Sequence, residues 1–163
     1  MPPEVKKGDI VLVRYKFDPV GVLICAKCHS WYNHVAWAIN STQVIEVRGK
    51  GVVINPINRF YNKILYDSKV VRIKNVKYED VKKAVDEALK LHGTSHSYRK
   101  LFKSMLKIGF TKSKNIEPST CSGMIAKCLE KYGIYFRKDI SASRITPGDI
   151  EHSRRIENVK NKL

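Results

Sequence analysis

The hydrophobic pattern of this chain changes its period at about residue 78, and this change constrains the fold more than any other feature. Before it, short β-branched runs are separated by turn residues, which is typical of strands. After it, Tyr78 to His92 has apolar residues at helical spacing and stops at Gly93, and a second helical pattern runs from Thr120 to Tyr132. The sequence therefore predicts an α+β fold in which a small sheet packs against helices.

The predicted strands are short and closely spaced. They cover residues 10–15, 34–39, 43–48, 51–54 and 69–73. Turn-like breaks at Ser41-Thr42 and Gly49-Lys50-Gly51 favour antiparallel pairing. Residues 16–33 are predicted to form a loop or irregular helix, Lys100 to Ile108 is a further helix candidate, and the last dozen residues are predicted to be a frayed, charged end.

The length of 163 residues is that of one domain, so we expect residues 1–163 to form a single domain whose core needs no metal or disulfide. The longest apolar runs, such as Val22 to Ala26, fall far short of the roughly 20 residues that a membrane span requires. Met1 to Lys7 lacks the apolar core of a secretory signal. We therefore expect a cytoplasmic protein.

The net charge is +16, from 31 basic and 15 acidic residues, and it favours anionic partners such as acidic lipids, acidic polymers or nucleic acid. The basic residues are spread along the chain, which is typical of solvated faces. No zinc-finger spacing, aromatic ribonucleoprotein signature or basic heptad helix accompanies the charge. Nucleic acid is therefore not the expected partner, whereas peripheral association with an anionic membrane or polymer remains open.

Cys121 is the candidate nucleophile because it stands where a turn-forming segment gives way to a helical pattern. A thiol at a helix N-terminus faces unpaired backbone N–H groups, which favour the thiolate. His34 begins a predicted strand and Glu46 lies inside the next one, so a base and a carboxylate to orient it are both available.

Each of these residues also has a structural interpretation. A cysteine on an apolar helix face is usually a small buried hydrophobe, which is the interpretation that we favour for Cys128, seven positions after Cys121. A histidine at a strand edge, such as His34, often bonds only to backbone. Glu46 lies between two inward-pointing residues, so strand alternation alone permits a plain surface role. His92, in the last predicted turn of its helix, is expected to interact with the final carbonyls rather than with a substrate.

A metal site is the competing interpretation of the cysteines. Cys25, Cys28 and His29 have the two-residue gap of a zinc knuckle, and His34, Cys121 or Cys128 would have to complete the ligands. No second close pair of cysteines exists. We therefore expect no metal and no cofactor, and a Cys25–Cys28 disulfide is disfavoured in a reducing compartment.

Several segments, taken in order, resemble one family. They are Gly8-Asp9-Ile10-Val11, His34-Val35-Ala36, Val44-Ile45-Glu46-Val47, Gly93 followed by Tyr98, Thr120-Cys121-Ser122, and Thr146-Pro147-Gly148-Asp149-Ile150. Over most of its length the chain resembles the circularly permuted branch of the NlpC-type papain-like cysteine hydrolases, the YiiX/YaeF-like group. The cysteine helix follows the histidine strand here, which is the permuted order, and a site formed in space does not depend on sequence order.

The resemblance implies that Cys121 is the nucleophile, His34 the base and Glu46 the carboxylate that orients the imidazole. The oxyanion would bind the backbone N–H of Cys121 and one further donor, for which Tyr98 is the candidate. Ser122, beside the thiol, and Trp31, in the loop before the histidine strand, are candidates for substrate contact.

The reaction that these residues imply is cleavage of an amide, peptide-like bond through an acyl-enzyme. One alternative is lipid-directed thioesterase or acyltransferase chemistry in the same fold, although the Asn-Cys-Glu-His pattern of the acyltransferase group is Thr120-Cys121-Ser122-Gly123 here. The other alternative is a non-catalytic basic module that binds nucleic acid or an acidic partner.

Overall fold

A computed structural model of the protein describes residues 4–18, 25–26, 29–48, 51–93 and 120–159. Within these ranges the chain forms a six-stranded antiparallel sheet in the order β4-β3-β2-β1-β5-β6. In chain order the strands are β1 (Ile10–Tyr15), β2 (His34–Ala38), β3 (Gln43–Arg48), β4 (Gly51–Pro56), β5 (Tyr66–Ile73) and β6 (Ile156–Asn158). The predicted α+β fold with an antiparallel sheet is confirmed.

On one side of the sheet, the ends of several strands lie next to one another. The central strand β1 pairs with β2 and β5 in antiparallel register, with Val13 opposite His34 and Tyr15 opposite Tyr66. Arg48 at the end of β3 pairs with Gly51 at the start of β4. The ends of β1 and β3 therefore lie beside the starts of β2, β4 and β5, and we call this side of the sheet the Tyr15 edge.

In the described part of the chain, three α-helices accompany the sheet: α1 (Tyr78–Leu89), α2 (Thr120–Glu130) and the short α3 (Pro147–Glu151). Two 3₁₀ segments cover Ile57–Tyr61 and Ala142–Arg144. The helices α1 and α2 pack over one face of the sheet, and the first 3₁₀ segment covers the other face with Ile57 and Phe60. Both sheet faces are therefore buried. This explains why the sequences of β1 and β2 are largely continuous apolar runs and do not alternate between apolar and polar residues.

Gly8, just before β1, allows α1 to approach the sheet. Its φ of +95° is in the left-handed region, and a Cβ there would lie 2.6 Å from Val81 Cγ1 of α1. The carbonyl of Gly8 also accepts a hydrogen bond of 3.0 Å from the fully buried Trp37 indole. A side chain at this position would therefore separate α1 from the strand it covers.

The element boundaries differ from the prediction in several places. Strand β5 begins three residues earlier than predicted and β4 extends two residues further, because pairing with a neighbour continues past the β-branched runs. The helix α1 ends at Leu89, three residues before His92. Residues 156–158 were predicted to be frayed, and this was wrong, because they pair with β5 as its outer neighbour. Three residues are too few to show a period in sequence.

The predicted helix over 100–108 lies outside the described residues. The prediction of a single domain over residues 1–163 stays a prediction. Among the described residues, no helix combines the length and the apolar composition that crossing a bilayer would require.

Candidate active site

Cys121 is the second residue of α2, where the helix begins against the Tyr15 edge. Its side chain is buried, at 3% exposure. The sulfur lies 3.3 Å from His34 Nδ1, and the thiol can donate to the Val47 carbonyl oxygen at 2.9 Å. At the N-terminal end of the apolar face of α2, the Cys121 thiol thus contacts polar groups of β2 and β3.

The first turn of α2 is fixed by close packing against the Ala142–Arg144 segment. A Cβ on Gly123 would lie 3.1 Å from the Ser143 carbonyl oxygen, so glycine permits the close approach. The buried Ser122 hydroxyl donates to the Ile145 carbonyl oxygen at 2.6 Å. These contacts hold the helix start, and with it Cys121, against the rest of the fold.

His34 is the first residue of β2, and its neighbours hold it from two sides. The preceding residue, Asn33, accepts a hydrogen bond of 3.1 Å from the Tyr15 backbone N–H through its buried side chain, and its own backbone N–H donates to Val13. The Tyr15 ring packs edge-on against the imidazole, with centroids 5.5 Å apart. The backbone and one ring face of His34 are therefore positioned by β1.

Glu46, in β3, receives three donors although it is completely buried. Its Oε2 lies 2.6 Å from His34 Nε2, and its Oε1 accepts from Asn55 Nδ2 at 2.7 Å and from an Arg59 guanidinium N–H at 3.1 Å. The surface role that strand alternation permitted is wrong, because the Ile57–Tyr61 segment covers the face to which Glu46 points. A buried carboxylate needs such partners to remain ionised.

Charge in the site follows from these contacts. Burial alone would lower the pKa of His34, but the adjacent Cys121 sulfur and Glu46 carboxylate outweigh it and raise this pKa to about 9. Burial would raise the pKa of Glu46, but the hydrogen bond from His34 and the Arg59 charge outweigh it and lower the pKa. Burial and the negative charge of Glu46 raise the pKa of Tyr15 to about 12. The raised pKa of His34 and the lowered pKa of Glu46 both favour an imidazolium between the carboxylate and the Cys121 sulfur.

Two residues that support Glu46 were missed by sequence reasoning. Asn55 lies in β4 two residues beyond Val53, which pairs with Glu46, so it is the diagonal neighbour on the same face. A polar residue at that diagonal was the available signal for Asn55. Arg59 comes from the 3₁₀ segment after β4, and nothing in its sequence context indicated the contact.

The remaining predicted residues lie in different places. Ser122 is next to Cys121, but its hydroxyl faces Ile145. Trp31 is 57% exposed, and Arg14 lies over its ring at 3.7 Å. Tyr98 and Cys28 lie outside the described residues. The Cys25 thiol lies 3.4 Å from the Trp31 carbonyl oxygen. In the part of the chain that the structure describes, no three His, Cys, Asp or Glu residues are grouped to hold a metal ion.

A histidine strand that precedes the cysteine helix in sequence, with the two side chains meeting at the sheet edge, defines a permuted papain-like fold. The sequence profile described as "Permuted papain-like amidase enzyme, YaeF/YiiX, C92 family" matches residues 4–147. The chain therefore belongs to this family of permuted papain-like amidases. The predicted family and fold are confirmed.

A solved structure agrees on the fold. The chain superposes on the "metalloprotein yiiX from Escherichia coli O157:H7, DUF1105" with a TM-score of 0.65 and 14% sequence identity, covering 98% of each chain. At this identity the likeness shows the fold alone. A comparison with curated proteins found no match.

Proposed function

We propose that the protein is a cysteine amidase in which Cys121 is the nucleophile, His34 the acid and base, and Glu46 the orienting carboxylate. The observation that carries the proposal is the unbroken chain of contacts from the Cys121 sulfur to His34 Nδ1 and from His34 Nε2 to Glu46, at 3.3 Å and 2.6 Å. Membership in an amidase family supports the reaction class.

The first half of the reaction uses the protonated imidazole. The Cys121 thiolate attacks the amide carbonyl carbon and forms a C–S bond, while the carbonyl electron pair moves to the oxygen. When this intermediate collapses, the C–N bond breaks and His34 Nδ1 gives its proton to the departing amine. The products of this half are a free amine and a thioester on Cys121.

The second half reverses the proton transfer. Now neutral, His34 takes a proton from water, the hydroxide oxygen attacks the thioester carbon, and the C–S bond breaks to release a carboxylic acid. Glu46 keeps Nε2 protonated and stabilises the imidazolium each time it forms.

The substrate carbonyl oxygen becomes negatively charged in the tetrahedral intermediate, and hydrogen-bond donors must point at it to stabilise this charge. The backbone N–H of Cys121 is the first candidate, because N–H groups in the first turn of a helix have no partner within the helix. Tyr98 stays a candidate for the second.

Alkylation by iodoacetamide tests this assignment without a known substrate. Intact mass would be followed from pH 5 to 9 for the wild type, Cys121→Ser, His34→Ala and the control Cys128→Ser. We expect one of the four thiols to react rapidly even at pH 6, because an imidazolium beside the sulfur favours the thiolate. Cys121→Ser removes this phase, His34→Ala slows it at least about tenfold at pH 6, and Cys128→Ser leaves it unchanged.

The proposal fails if the rapid phase survives in Cys121→Ser, or if all thiols react slowly with ordinary pH dependence. In the first case another cysteine would be the reactive thiol, and the role assigned to Cys121 would be lost. In the second case no activated nucleophile would exist, which would favour the non-catalytic binding module. With a reactive Cys121 established, acyl 4-nitroanilides of amino acids, dipeptides and fatty acids would define which amides are cleaved.

A further inference from the structure

Most of the exposed apolar side chains in the described part of the chain lie at one place. Among the described residues, the large hydrophobic side chains that are exposed are Phe17 at 76%, Trp31 at 57%, Ile64 at 75%, Leu65 at 43% and Tyr78 at 46%. The first four lie at the Tyr15 edge, and we call them the apolar rim. Isolated exposed hydrophobic residues are ordinary, but a group of them marks an interaction surface.

Backbone contacts place the members of the apolar rim together. Strands β1 and β5 pair up to Tyr15 and Tyr66, and the next backbone N–H, of Lys16, donates to the Leu65 carbonyl oxygen at 3.1 Å. Phe17 and Ile64 are thus the next residues on either side. On the other side of β1, Trp31 contacts Arg14, the residue before Tyr15. All four residues therefore surround the end of one central strand.

The exposed tryptophan is held in place rather than extended freely. The carboxylate of Glu151, at the end of α3, accepts hydrogen bonds from the Trp31 backbone N–H at 3.3 Å and from the Ser30 hydroxyl at 2.6 Å. The Arg14 guanidinium covers the Trp31 ring at 3.7 Å. Because its conformation is already fixed, an aromatic side chain of this kind loses little further conformational entropy when it inserts into a binding partner.

Basic residues are interspersed with the apolar ones. Arg14, Lys16 and Lys63 lie among the rim residues, and Lys16 donates to the Lys63 carbonyl oxygen while pairing with Asp67. Asp18 also lies beside Phe17. Surfaces that bind anionic lipid combine Trp, Phe and Leu with Lys and Arg, whereas protein–protein interfaces are depleted in lysine. The net charge of +16 adds long-range attraction to an anionic surface.

We propose that the apolar rim docks the protein on an anionic lipid bilayer, with Phe17, Ile64, Leu65 and Trp31 entering the headgroup region and the neighbouring lysines and arginine contacting lipid phosphates. The docked surface adjoins the candidate active site. The ring of Tyr15 contacts those of both His34 and Tyr66, with centroids 5.5 Å and 5.2 Å apart, and Tyr66 follows Leu65. A bilayer at the rim would thus lie beside the catalytic imidazole.

Tryptophan fluorescence reports this docking directly. The chain has two tryptophans, and Trp37 is fully buried, so a vesicle-dependent change would come from Trp31. With vesicles of equal phosphatidylglycerol and phosphatidylcholine, we expect the emission to shift to shorter wavelength and to be quenched by brominated lipid. Trp31→Phe removes the vesicle-dependent change. An unchanged emission from wild-type protein that co-sediments with vesicles would overturn the insertion of the rim.

Co-sedimentation measures the contributions of the apolar and charged residues. We expect Phe17→Ser/Ile64→Ser to lower the partition coefficient at least about tenfold, because two large apolar groups no longer leave water. The matched control is Tyr78→Ser, since Val81 of the same helix packs on Gly8 at the opposite edge of the sheet. Lys63→Glu should weaken binding more than Lys83→Glu, the same charge change on the exposed side of α1.

The proposal does not depend on catalysis, because vesicle binding is measured without turnover. It is overturned if wild-type protein does not bind the anionic vesicles, or if the double variant binds them as well as the wild type does. It is also overturned if the wild type is a dimer in solution and the double variant a monomer, since the rim would then join two copies of this chain. Both substituted residues are exposed, so we expect the melting temperature to stay unchanged.

Discussion

Cys121 and Cys128 lie two helical turns apart on the same face of α2. The surroundings of the two thiols differ, because Cys121 contacts polar groups of the sheet and Cys128 is buried in the apolar core. Their exposed fractions are nearly equal, at 3% and 5%. Burial raises the pKa of Cys128 to about 11, so this thiol stays protonated and inert. Cys121 instead contacts His34 and the Val47 carbonyl. Burial alone therefore does not distinguish a candidate nucleophile from a core residue, whereas the contacts with the sheet edge do.

The largest expected effect separates the two thiols by function. Cys121→Ala should lower amide turnover at least about 10³-fold, because no acyl-enzyme can form, while Cys128→Ala should leave turnover within about twofold. Stability should show the reverse order, with Cys128→Ala costing about 1–2 kcal/mol for the lost packing in the core. Steady-state kinetics on the cleaved 4-nitroanilide and urea unfolding measure the two effects. Equal losses of turnover in both variants would contradict the assignment of Cys121 as nucleophile and Cys128 as a core residue.

The next effect concerns Glu46, the buried carboxylate that contacts His34 beside Cys121. Glu46→Gln should lower turnover about 10²-fold and slow the alkylation of Cys121 at pH 6, because an amide does not stabilise the imidazolium as a carboxylate does. Double labelling of Cys121 and Cys128, read by peptide mass, would show their rates converging.

Asp9→Asn is the matched control for Glu46→Gln. Asp9 is also a buried carboxylate, and it accepts two hydrogen bonds from the Arg72 guanidinium, at 2.7 Å and 2.8 Å, at the opposite end of β1. Its loss should cost about 2 kcal/mol of unfolding free energy and leave the Cys121 alkylation rate within about twofold. If both variants slow alkylation equally, Glu46 acts through stability and not through His34.

The smallest expected effect is the pH dependence of stability that His34 contributes. The pKa of His34 is about 9 in the folded protein and 6.5 in an ordinary unfolded chain. Because the folded value is the higher one, the stabilisation is fully present below about pH 6.5 and is lost as the pH rises through about 9. Between these values the free energy of unfolding should fall about 2 kcal/mol further in the wild type than in His34→Gln. Urea unfolding at pH 6, 7.5 and 9.5 measures it, and parallel curves would contradict the raised pKa.

The candidate site could be predicted in part because two of its principal residues occur at positions with a chemical meaning. Cys121 lies at a helix start and His34 begins a strand. The role of Glu46 could not be read from alternation, since alternation says which face a residue takes and not whether that face is covered. Asn55 and Arg59 were missed because they act on Glu46 from a neighbouring strand and a 3₁₀ segment, which local patterns do not relate.

The sequence by itself determined the class of the fold, because the period of the apolar residues fixes which segments form strands and which form helices. It also determined the strand β3, the starts of α1 and α2, and the family. The tertiary structure alone decided that both thiols of α2 are buried to nearly the same extent, that Glu46 is buried with three donors, and that four exposed apolar residues surround the end of β1. These properties depend on strand order and register, which bring together residues far apart in the chain, and local periodicity contains no information about such distances.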